Sequence, residues 1–185
     1  MPPPEKEFLV VSGLPGSGKS WLAAQVAPLL GLTMIDKDDI LEGLFKSRGI
    51  GDGAWRKDLS READRLFRRQ SEASPGAVLV SFWHLPGMPA DSGTPTGWLP
   101  GLSRRIVNLH CQCPVTVAAA RFLQRKRHPG HLDDLRPAEL LLSGFQDLTR
   151  FPPLEIGERV CVDTSAEIPL ALLVSRISTA FGRSP

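Results

Sequence analysis

The sequence predicts an α/β domain in which a parallel β-sheet is covered by helices on both faces. Two observations support this prediction. Short apolar runs rich in valine and leucine alternate with segments of helical periodicity along the chain, and such alternation is typical of parallel strands joined by crossover helices. A turn with three glycines, at residues 13–18, joins the first apolar run directly to the first helical segment. The 185 residues suffice for about one compact domain.

Five apolar runs are predicted as strands and six periodic segments as helices. The strands lie at residues 8–13, 32–36, 77–83, 105–111 and 159–164. The helices lie at residues 19–27, 38–45, 54–72, 115–127, 137–148 and 168–181. Pro28 lacks an amide donor and is expected to kink or end the first helix. The domain is expected to span residues 8–181, between a disordered tail at residues 1–7 and a second tail at residues 182–185.

The composition is that of an ordinary globular protein without a strong charge bias. Apolar residues make up 42% of the chain, charged residues 23%, and the formal net charge is +2, so any basic partner surface must be local. Three cysteines, with no second Cys/His pair at zinc-ligand spacing, favour reduced thiols. The first residues lack the long apolar core of a signal peptide or membrane anchor. We therefore expect a cytoplasmic monomer or homodimer with no membrane partner.

The sequence GLPGSGKS, residues 13–20, has the composition of a phosphate-binding loop. Gly13, Gly16 and Gly18 permit backbone conformations that a β-carbon would forbid, so successive amide groups can turn towards an anion. Lys19 can then reach the β and γ phosphates of a nucleoside triphosphate, and the Ser20 hydroxyl can bind a magnesium ion. The residues predicted to bind nucleotide in this region are Gly13, Pro15, Gly16, Ser17, Gly18, Lys19, Ser20 and Trp21.

Two other classes of nucleotide-binding protein match the sequence less well. A GTP-dependent switch would carry an Asn-Lys-x-Asp sequence, which is absent, and DTSAE at residues 163–167 is only weakly similar to the last guanine-contacting loop of that class. A motor ATPase would carry an Asp-Glu pair after a later strand, whereas the third predicted strand ends in Ser81, Phe82 and Trp83. The usual residue for activating water is therefore missing.

An acidic cluster follows the second predicted strand, in the sequence IDKDDI. Because ligands of open α/β sheets bind at the carboxyl ends of the strands, Asp36, Asp38 and Asp39 are expected to face the phosphates. Phosphoryl transfer to an alcohol requires a carboxylate to orient and deprotonate the hydroxyl, and cations to spread the developing charge. The alternative is that Asp38 and Asp39 only cap the following helix.

A basic segment, ARFLQRKRHPGH at residues 120–131, is predicted to form a mobile lid over the triphosphate. Arg121 and Arg125 are four residues apart and should share one helix face. A closing lid would bring guanidinium groups to the transferring oxygens and exclude water. The alternative is a solvated basic helix end. The residues predicted for the lid are Arg125, Arg127, His128 and His131; the two histidines, three apart, make a poor metal site.

Taken together, GLPGSGKS, IDKDDI, RFLQRKRHPGH and VDTS, in this order, resemble the small P-loop kinases. That group includes predicted bacterial kinases of the AAA_33 type and, more distantly, chloramphenicol phosphotransferase, zeta toxins, polynucleotide kinase, shikimate kinase and gluconate kinase. The resemblance spans about residues 8–181. It implies a five-stranded parallel sheet in 2-3-1-4-5 order, ATP and Mg²⁺, and an acceptor that carries a hydroxyl group.

The resemblance also implies roles for individual residues. Asp38 matches the base and Asp36 lies near magnesium together with Ser20. Arg121 matches an arginine that lies against adenine or the phosphates, Arg125 and Arg127 belong to the lid, and the loop at Asp163 and Thr164 borders the adenine. The predicted catalytic residues are Asp38, Lys19 and Arg125. Two residues depart from the pattern: Trp21 adds bulk beneath the loop, and Ser81 replaces an acid that many relatives carry on the third strand.

Acceptor recognition is predicted less sharply. Candidates are Asp38, Asp39, Trp55, Phe82, Trp83 and His84, together with the Pro/Gly-rich residues 86–101; the aromatic side chains could stack on a planar or sugar-like acceptor or belong to the core. The leading hypothesis is an ATP-dependent kinase of a small-molecule metabolite, sugar or antibiotic. A kinase of nucleotides or nucleic-acid ends is kept open because basic residues outnumber acidic ones on the long helix at 54–72. The third hypothesis is an NTP-dependent switch or regulatory protein.

Overall fold

The computed structural model describes residues 5–135 and 137–183 and contains five strands and six α-helices in these ranges. The strands are β1 (Glu7–Gly13), β2 (Thr33–Asp36), β3 (Ala77–Val80), β4 (Arg105–Gln112) and β5 (Glu158–Asp163). The helices are α1 (Lys19–Leu30), α2 (Lys37–Arg48), α3 (Gly53–Ala73), α4 (Val115–Gln124), α5 (Ala138–Leu148) and α6 (Leu170–Ala180). None of the helices in the described ranges is long and apolar enough to cross a membrane.

All five strands form one parallel sheet in the order β2-β3-β1-β4-β5, so the predicted α/β class and strand order are confirmed. Successive side chains of β1 point to opposite faces of the sheet. Leu9 and Val11 pack with α1 and α6, whereas Phe8 and Val10 pack with Phe67 of α3. Helices therefore cover both faces, and the carboxyl ends of the strands are left at one open edge.

Several predicted boundaries differ from the structure, among them those of the first helix, the third strand and the fourth helix. Helix α1 continues past Pro28 to Leu30 and ends at Gly31, which has a φ of 70°. The proline is tolerated because it lies in the last turn on the exposed side of the helix, where the carbonyl it leaves unpaired can face water. Strand β3 ends at Val80, three residues early, and α4 ends at Gln124 instead of residue 127.

The ends of the described chain are tied to the sheet. Glu7 is the first residue of β1, and its carboxylate accepts a hydrogen bond of 2.9 Å from Nε of Arg183. Arg105 also pairs with Glu7, at 2.7 Å. Glu7 and Arg183 were both predicted to lie in tails, and sequence patterning missed them because a single ion pair leaves no periodicity. Residues 1–4 and 184–185 of the predicted tails lie outside the described residues.

Candidate active site

A cleft of about 1030 Å³ opens at the carboxyl edge of the sheet, beside the glycine-rich loop. It is lined by elements that are distant in sequence: the loop, the β2–α2 junction, α3, α4 and the basic segment. The predicted site residues that line it are Pro15, Gly16, Gly18, Lys19, Ser20, Trp21, Asp36, Asp38, Asp39, Phe82, Arg121, Arg125 and Arg127. The structure thus brings most of the predicted phosphate-binding, acidic and arginine residues to one place.

The glycine-rich loop is held against β4 and α4 at distances that only glycine permits. A β-carbon on Gly13 would lie 2.4 Å from the carbonyl oxygen of Cys111, and one on Gly16 would lie 2.1 Å from that of Ala118. Both glycines also have positive φ angles, of 136° and 79°, which disfavour other residues. The buried Ser17 closes the turn, because its amide donates to the Leu14 carbonyl at 3.1 Å.

Lys19 begins α1 and folds back over the loop. Its Nζ donates to the carbonyl oxygens of Gly13 at 3.0 Å and Leu14 at 2.8 Å, so the ammonium group lies where the loop surrounds it. Burial lowers the pKa of Lys19 to about 8, and the negative charges of Asp38 and Asp36 only partly oppose this effect. A bound phosphate group would place a negative charge beside this ammonium group and so compensate for its loss of contact with water.

Ser20 and Asp36 are brought together as predicted for a metal site. The Ser20 hydroxyl donates to Oδ2 of Asp36 at 2.6 Å, and Oδ1 of Asp36 accepts the backbone amide of Asp38 at 2.9 Å. Asp36 is therefore the N-cap of α2, so the capping role that the alternative gave to Asp38 and Asp39 belongs to Asp36. Burial raises the pKa of Asp36 to about 6, and the Asp38 carboxylate adds to this increase.

Asp38 faces the cleft with a side chain that is 46% exposed. Its Oδ2 accepts a hydrogen bond from Nη1 of Arg127. The same guanidinium group binds Asp133 through Nε at 2.9 Å and Nη2 at 3.1 Å, which keeps it in one orientation. Asp39 lies at the exposed rim, where partial burial and then the charges of Glu42 and Asp38 raise its pKa.

The other two arginines of the basic segment lie against different partners. Arg121 of α4 donates from Nη2 to the Thr164 carbonyl at 2.8 Å, close to the start of α1. Arg125 lies 3.9 Å above the Phe122 ring and 3.6 Å from Asp133. Because α4 ends at Gln124, Arg125 is beyond the helix and does not share a helical face with Arg121, contrary to the prediction.

The two histidines of the basic segment pack on α2 and do not line the cleft. The His128 ring stacks on Phe45 with a centroid distance of 5.4 Å, and the buried His131 ring meets Phe45 edge-on at 5.3 Å. His131 Nε2 also pairs with Glu42 at 3.1 Å. Trp55 also stacks on Phe45, with a centroid distance of 5.9 Å. These three predicted site residues form an aromatic cluster that fixes the basic segment to α2 and α3.

Of the aromatic acceptor candidates after β3, Phe82 lines the cleft, whereas Trp83 and His84 do not. The buried Trp83 donates from Nε1 to the Val11 carbonyl at 2.8 Å, and His84 Nδ1 lies 2.7 Å from the Ser92 carbonyl. Both side chains therefore hold the backbone after β3 in place. They were predicted to bind the acceptor because aromatic side chains near the cleft can stack on a planar or sugar-like compound.

The adenine-side candidates lie behind the loop. Thr164 is buried, and its hydroxyl donates to the Ser17 carbonyl at 2.8 Å. Asp163 is exposed and accepts from the amide and hydroxyl of Ser165 at 2.8 and 2.6 Å. Thr164 therefore joins β5 to the glycine-rich loop, and its carbonyl holds Arg121 in place.

One polar face of α3 also lines the cleft and was missed as a unit in the sequence. Its members recur at helical spacing: Gly53, Arg56, Lys57, Ser60, Arg61 and Asp64. Asp64 binds the buried Lys37 ammonium at 2.6 Å and accepts the Thr94 hydroxyl at 2.8 Å. Thr94 in turn lies 2.6 Å from Ser81. The helical spacing of these polar residues is visible in the sequence. A helix face exposed to solvent has the same spacing, so only the structure shows that these residues line the cleft.

Comparisons with known proteins agree with the fold. A protein from Chloroflexus aurantiacus j-10-fl, named as a candidate kinase, is similar with a TM-score of 0.74 and 23% identity over 95% of this chain and 98% of that chain. Shikimate kinase from Bacteroides thetaiotaomicron gives a TM-score of 0.56 and 15% identity, over 95% of this chain and 98% of that chain. A gluconokinase from Sinorhizobium meliloti 1021 gives a TM-score of 0.51 and 21% identity, over 95% and 91% of the two chains.

The chain has a P-loop kinase fold. Its strand order, 2-3-1-4-5, and its glycine-rich loop at Gly13–Ser20 match this fold, and the similar structures are kinases of this type. No protein-family model matches the chain, and no curated protein matches it.

We expect nucleotide affinity to fall above about pH 8. Because the pKa of Lys19 is lowered to about 8, its ammonium group loses its proton above that pH, whereas bound phosphate would favour the protonated form. ATP affinity should therefore decrease by up to about tenfold per pH unit above 8. Titration calorimetry from pH 7 to 9.5 measures this slope. Lys19→Met should bind weakly and without the slope, whereas Lys46→Met, on the exposed last turn of α2, should behave as wild type.

We expect Asp36→Asn to stabilise the protein at neutral pH. The pKa of Asp36 is raised to about 6 in the folded state from an ordinary value of 3.8, so ionisation favours the unfolded chain above pH 3.8 and the full penalty is present above pH 6. Asparagine keeps the helix cap without the charge. The gain should reach at most about 3 kcal/mol at pH 7 and vanish near pH 4. Denaturant unfolding at both pH values measures it; an equal effect at both would contradict the assigned cause.

Proposed function

We propose that this protein is an ATP-dependent phosphotransferase that moves the γ-phosphoryl group of ATP to a hydroxyl of a small molecule. The observation that carries the proposal is the shared cleft: the ammonium of Lys19 and the half-exposed carboxylate of Asp38 line the same space. The similar structures support a phosphotransferase of the P-loop kinase type. We also propose, from the motifs, that the chain is a member of the small P-loop kinases.

The glycine-rich loop is proposed to hold the phosphates. The start of α1 directs its free amide groups and its positive dipole end at the loop, and Lys19 adds a full charge. The Arg121 side chain lies between α4 and Thr164, a position suited to contact adenine or the phosphates. Lys19, Arg121 and Arg125 all line the cleft, so the triphosphate charge would be compensated by side chains as well as by the backbone.

A magnesium ion fits the Ser20–Asp36 pair. A hydroxyl and a carboxylate 2.6 Å apart are the oxygen donors that magnesium prefers, and a divalent cation would compensate the carboxylate that burial now disfavours. No group of three or more acidic, histidine or cysteine residues in the described ranges forms a metal site by itself. Phosphate oxygens and water would complete the coordination, and the ion would spread the charge that develops on the phosphates.

Asp38 is proposed to be the general base. Its carboxylate would accept the proton of the acceptor hydroxyl while the hydroxyl oxygen bonds to the γ-phosphorus and the bond from that phosphorus to the β–γ bridging oxygen breaks, so that ADP leaves. Arg127 now occupies one oxygen of Asp38. A hydroxyl group can approach the half-exposed remainder of the carboxylate.

The acceptor is proposed to lie between Asp38 and the polar face of α3. Arg56, Ser60 and Arg61 of that face supply hydrogen-bond donors, and Phe82 supplies one apolar wall. A space of about 1030 Å³ is at the upper end of small-molecule sites, which span roughly 300–1,000 Å³, so it can hold a nucleotide and a small acceptor together. This arrangement suits a small polyhydroxylated compound better than a hydrolytic water alone.

A kinase of nucleotides or nucleic-acid ends is the second candidate. The observation that favours it is that Arg56, Lys57 and Arg61 line the cleft. Lys57 pairs with Asp91, and Arg61 lies 3.7 Å from Asp58, so acidic neighbours offset part of this charge. This candidate requires an oligonucleotide to accept phosphate from ATP, with binding that falls steeply as salt rises.

A screen of hydroxylated compounds with ATP and magnesium tests the proposed reaction. We expect one compound class to gain the mass of a phosphoryl group, and Lys19→Ala and Asp38→Asn each to reduce turnover by at least about a hundredfold. Asp147→Asn, at an exposed carboxylate outside the cleft, is the matched control and should keep full activity. Mass spectrometry detects the product. Phosphorylation that survives Asp38→Asn unchanged would exclude Asp38 as the base.

We expect Arg125→Ala to lower turnover more than nucleotide affinity. Arg125 lines the cleft from beyond the end of α4, and a guanidinium group there would act mainly on charge that develops during transfer. The decrease in kcat should be about ten- to a hundredfold, with less than about a threefold change in the Kd for ATP. Arg104→Ala, an exposed site outside the cleft, is the control. A loss confined to affinity would contradict a role in the transfer step.

A further inference from the structure

A second cavity, of about 310 Å³, lies behind the glycine-rich loop. It is lined by the ends of β1 and β4, by the chain after β3, by the last residue of α5 and by the chain that follows α5 up to Leu154. Ser12 and His110 face it from the side of the sheet that also carries Val10 and α3, opposite α1. Phe82 and Leu148 line both this cavity and the cleft, so the two spaces are neighbours.

The wall of this cavity is mostly apolar, and its polar side chains are those of Ser12, His110, Gln112 and Thr149. Its larger side chains are those of Phe82, Trp83, Leu85, Phe151, Pro153 and Leu154. Among the described residues that line it there is no Asp, Glu, Lys or Arg. Burial raises the pKa of the Cys111 thiol to about 12, and burial together with the charges of Arg159 and Lys19 lowers the pKa of His110. The cavity is therefore neutral near pH 7, and it favours an uncharged occupant.

A chain of hydrogen bonds fixes the state of His110. The Leu154 carbonyl can only accept, so Nδ2 of Asn108 donates to it at 2.8 Å and Oδ1 of Asn108 is an acceptor. The Ser12 hydroxyl uses its single proton to donate to that Oδ1 at 2.7 Å. At 2.9 Å from His110 Nδ1, the Ser12 oxygen must then accept. In the neutral ring Nδ1 carries the proton, and Nε2 is left as a hydrogen-bond acceptor.

We propose that this cavity binds a small, uncharged aromatic molecule that donates one hydrogen bond to Nε2 of His110. Three aromatic side chains, Phe82, Trp83 and Phe151, favour a planar ring by stacked or edge-on contacts. The volume of about 310 Å³ is at the lower limit of small-molecule sites and suits one or two rings. The ring nitrogen then selects compounds with a hydroxyl or N–H group over compounds that can only accept.

Binding in this cavity should affect the nucleotide site. Gly13 and Leu14 line the cavity, and their carbonyl oxygens hold the Lys19 ammonium. An occupant that orders this side of the loop would favour one position of Lys19, so its affinity and that of ATP should depend on each other. Two kinds of ligand carry such an aromatic ring with a hydrogen-bond donor. One is a free aromatic effector, and the other is an acceptor of the phosphoryl group whose aromatic part reaches past Phe82.

The test compares phenol with anisole, which has the same ring without the donor. We expect phenol to bind about tenfold more tightly, with NMR shift changes at the indole N–H of Trp83 and at residues 110–113. His110→Phe should make the two affinities equal, and Leu85→Trp, which fills the cavity, should abolish binding of both. Equal affinities in the wild type, or shift changes confined to other surfaces, would overturn the proposal. Leu85→Trp and the phenol/anisole pair remain decisive if His110→Phe does not fold.

Two further arms distinguish the sources of the ligand. These binding experiments require no phosphotransfer, so their outcome is independent of the proposed reaction. If the ligand is a free effector, phenol should change the Kd of a non-hydrolysable ATP analogue and should not compete with an acceptor found by the screen. If the cavity receives part of the acceptor, phenol should compete with that acceptor. An unchanged Kd together with an absence of competition would overturn the link to the cleft.

Discussion

The contact between the glycine-rich loop and the backbone of β4 and α4 is the constraint on which the site depends. The loop approaches the carbonyl oxygens of Cys111 and Ala118 so closely that a single β-carbon at Gly13 or Gly16 would collide with them. Thr164 secures the loop from the side of β5 through the Ser17 carbonyl. With its backbone fixed on three sides, the loop can direct its amide groups and Lys19 into one space, as binding of a polyanion requires.

The charged groups around this loop are held in states that folding alone would not favour. Burial raises the pKa of Asp36 and lowers that of Lys19, so both ionised side chains reduce the stability of the folded protein. Such groups are typical of functional sites, because a bound ligand can supply the missing counter-charge. Burial does not destabilise the charge of Arg127 in this way, because hydrogen bonds to Asp133 and Asp38 outweigh the effect of burial and raise its pKa.

Phe82 lies between the cleft and the second cavity because β3 ends three residues before the predicted end. If β3 had continued to Trp83, the side chains of residues 81–83 would alternate between the two faces of the sheet. Instead Ser81 pairs with Thr94, Trp83 donates to Val11, and Phe82 becomes the wall between the cleft and the second cavity. The departure of the chain from the sheet therefore creates both the Phe82 wall of the cleft and the neutral cavity beside it.

The sequence by itself determined the α/β class, the five strands, the loop and the acidic cluster, because these follow from local periodicity and from residue types at fixed spacing. Tertiary structure decided which side chains share the cleft. Trp55, His128 and His131 belong to an aromatic cluster on Phe45, whereas Lys37 and the polar face of α3 line the cleft. An aromatic or charged residue has the same sequence signature in either place, since only packing between distant elements determines which surface it meets.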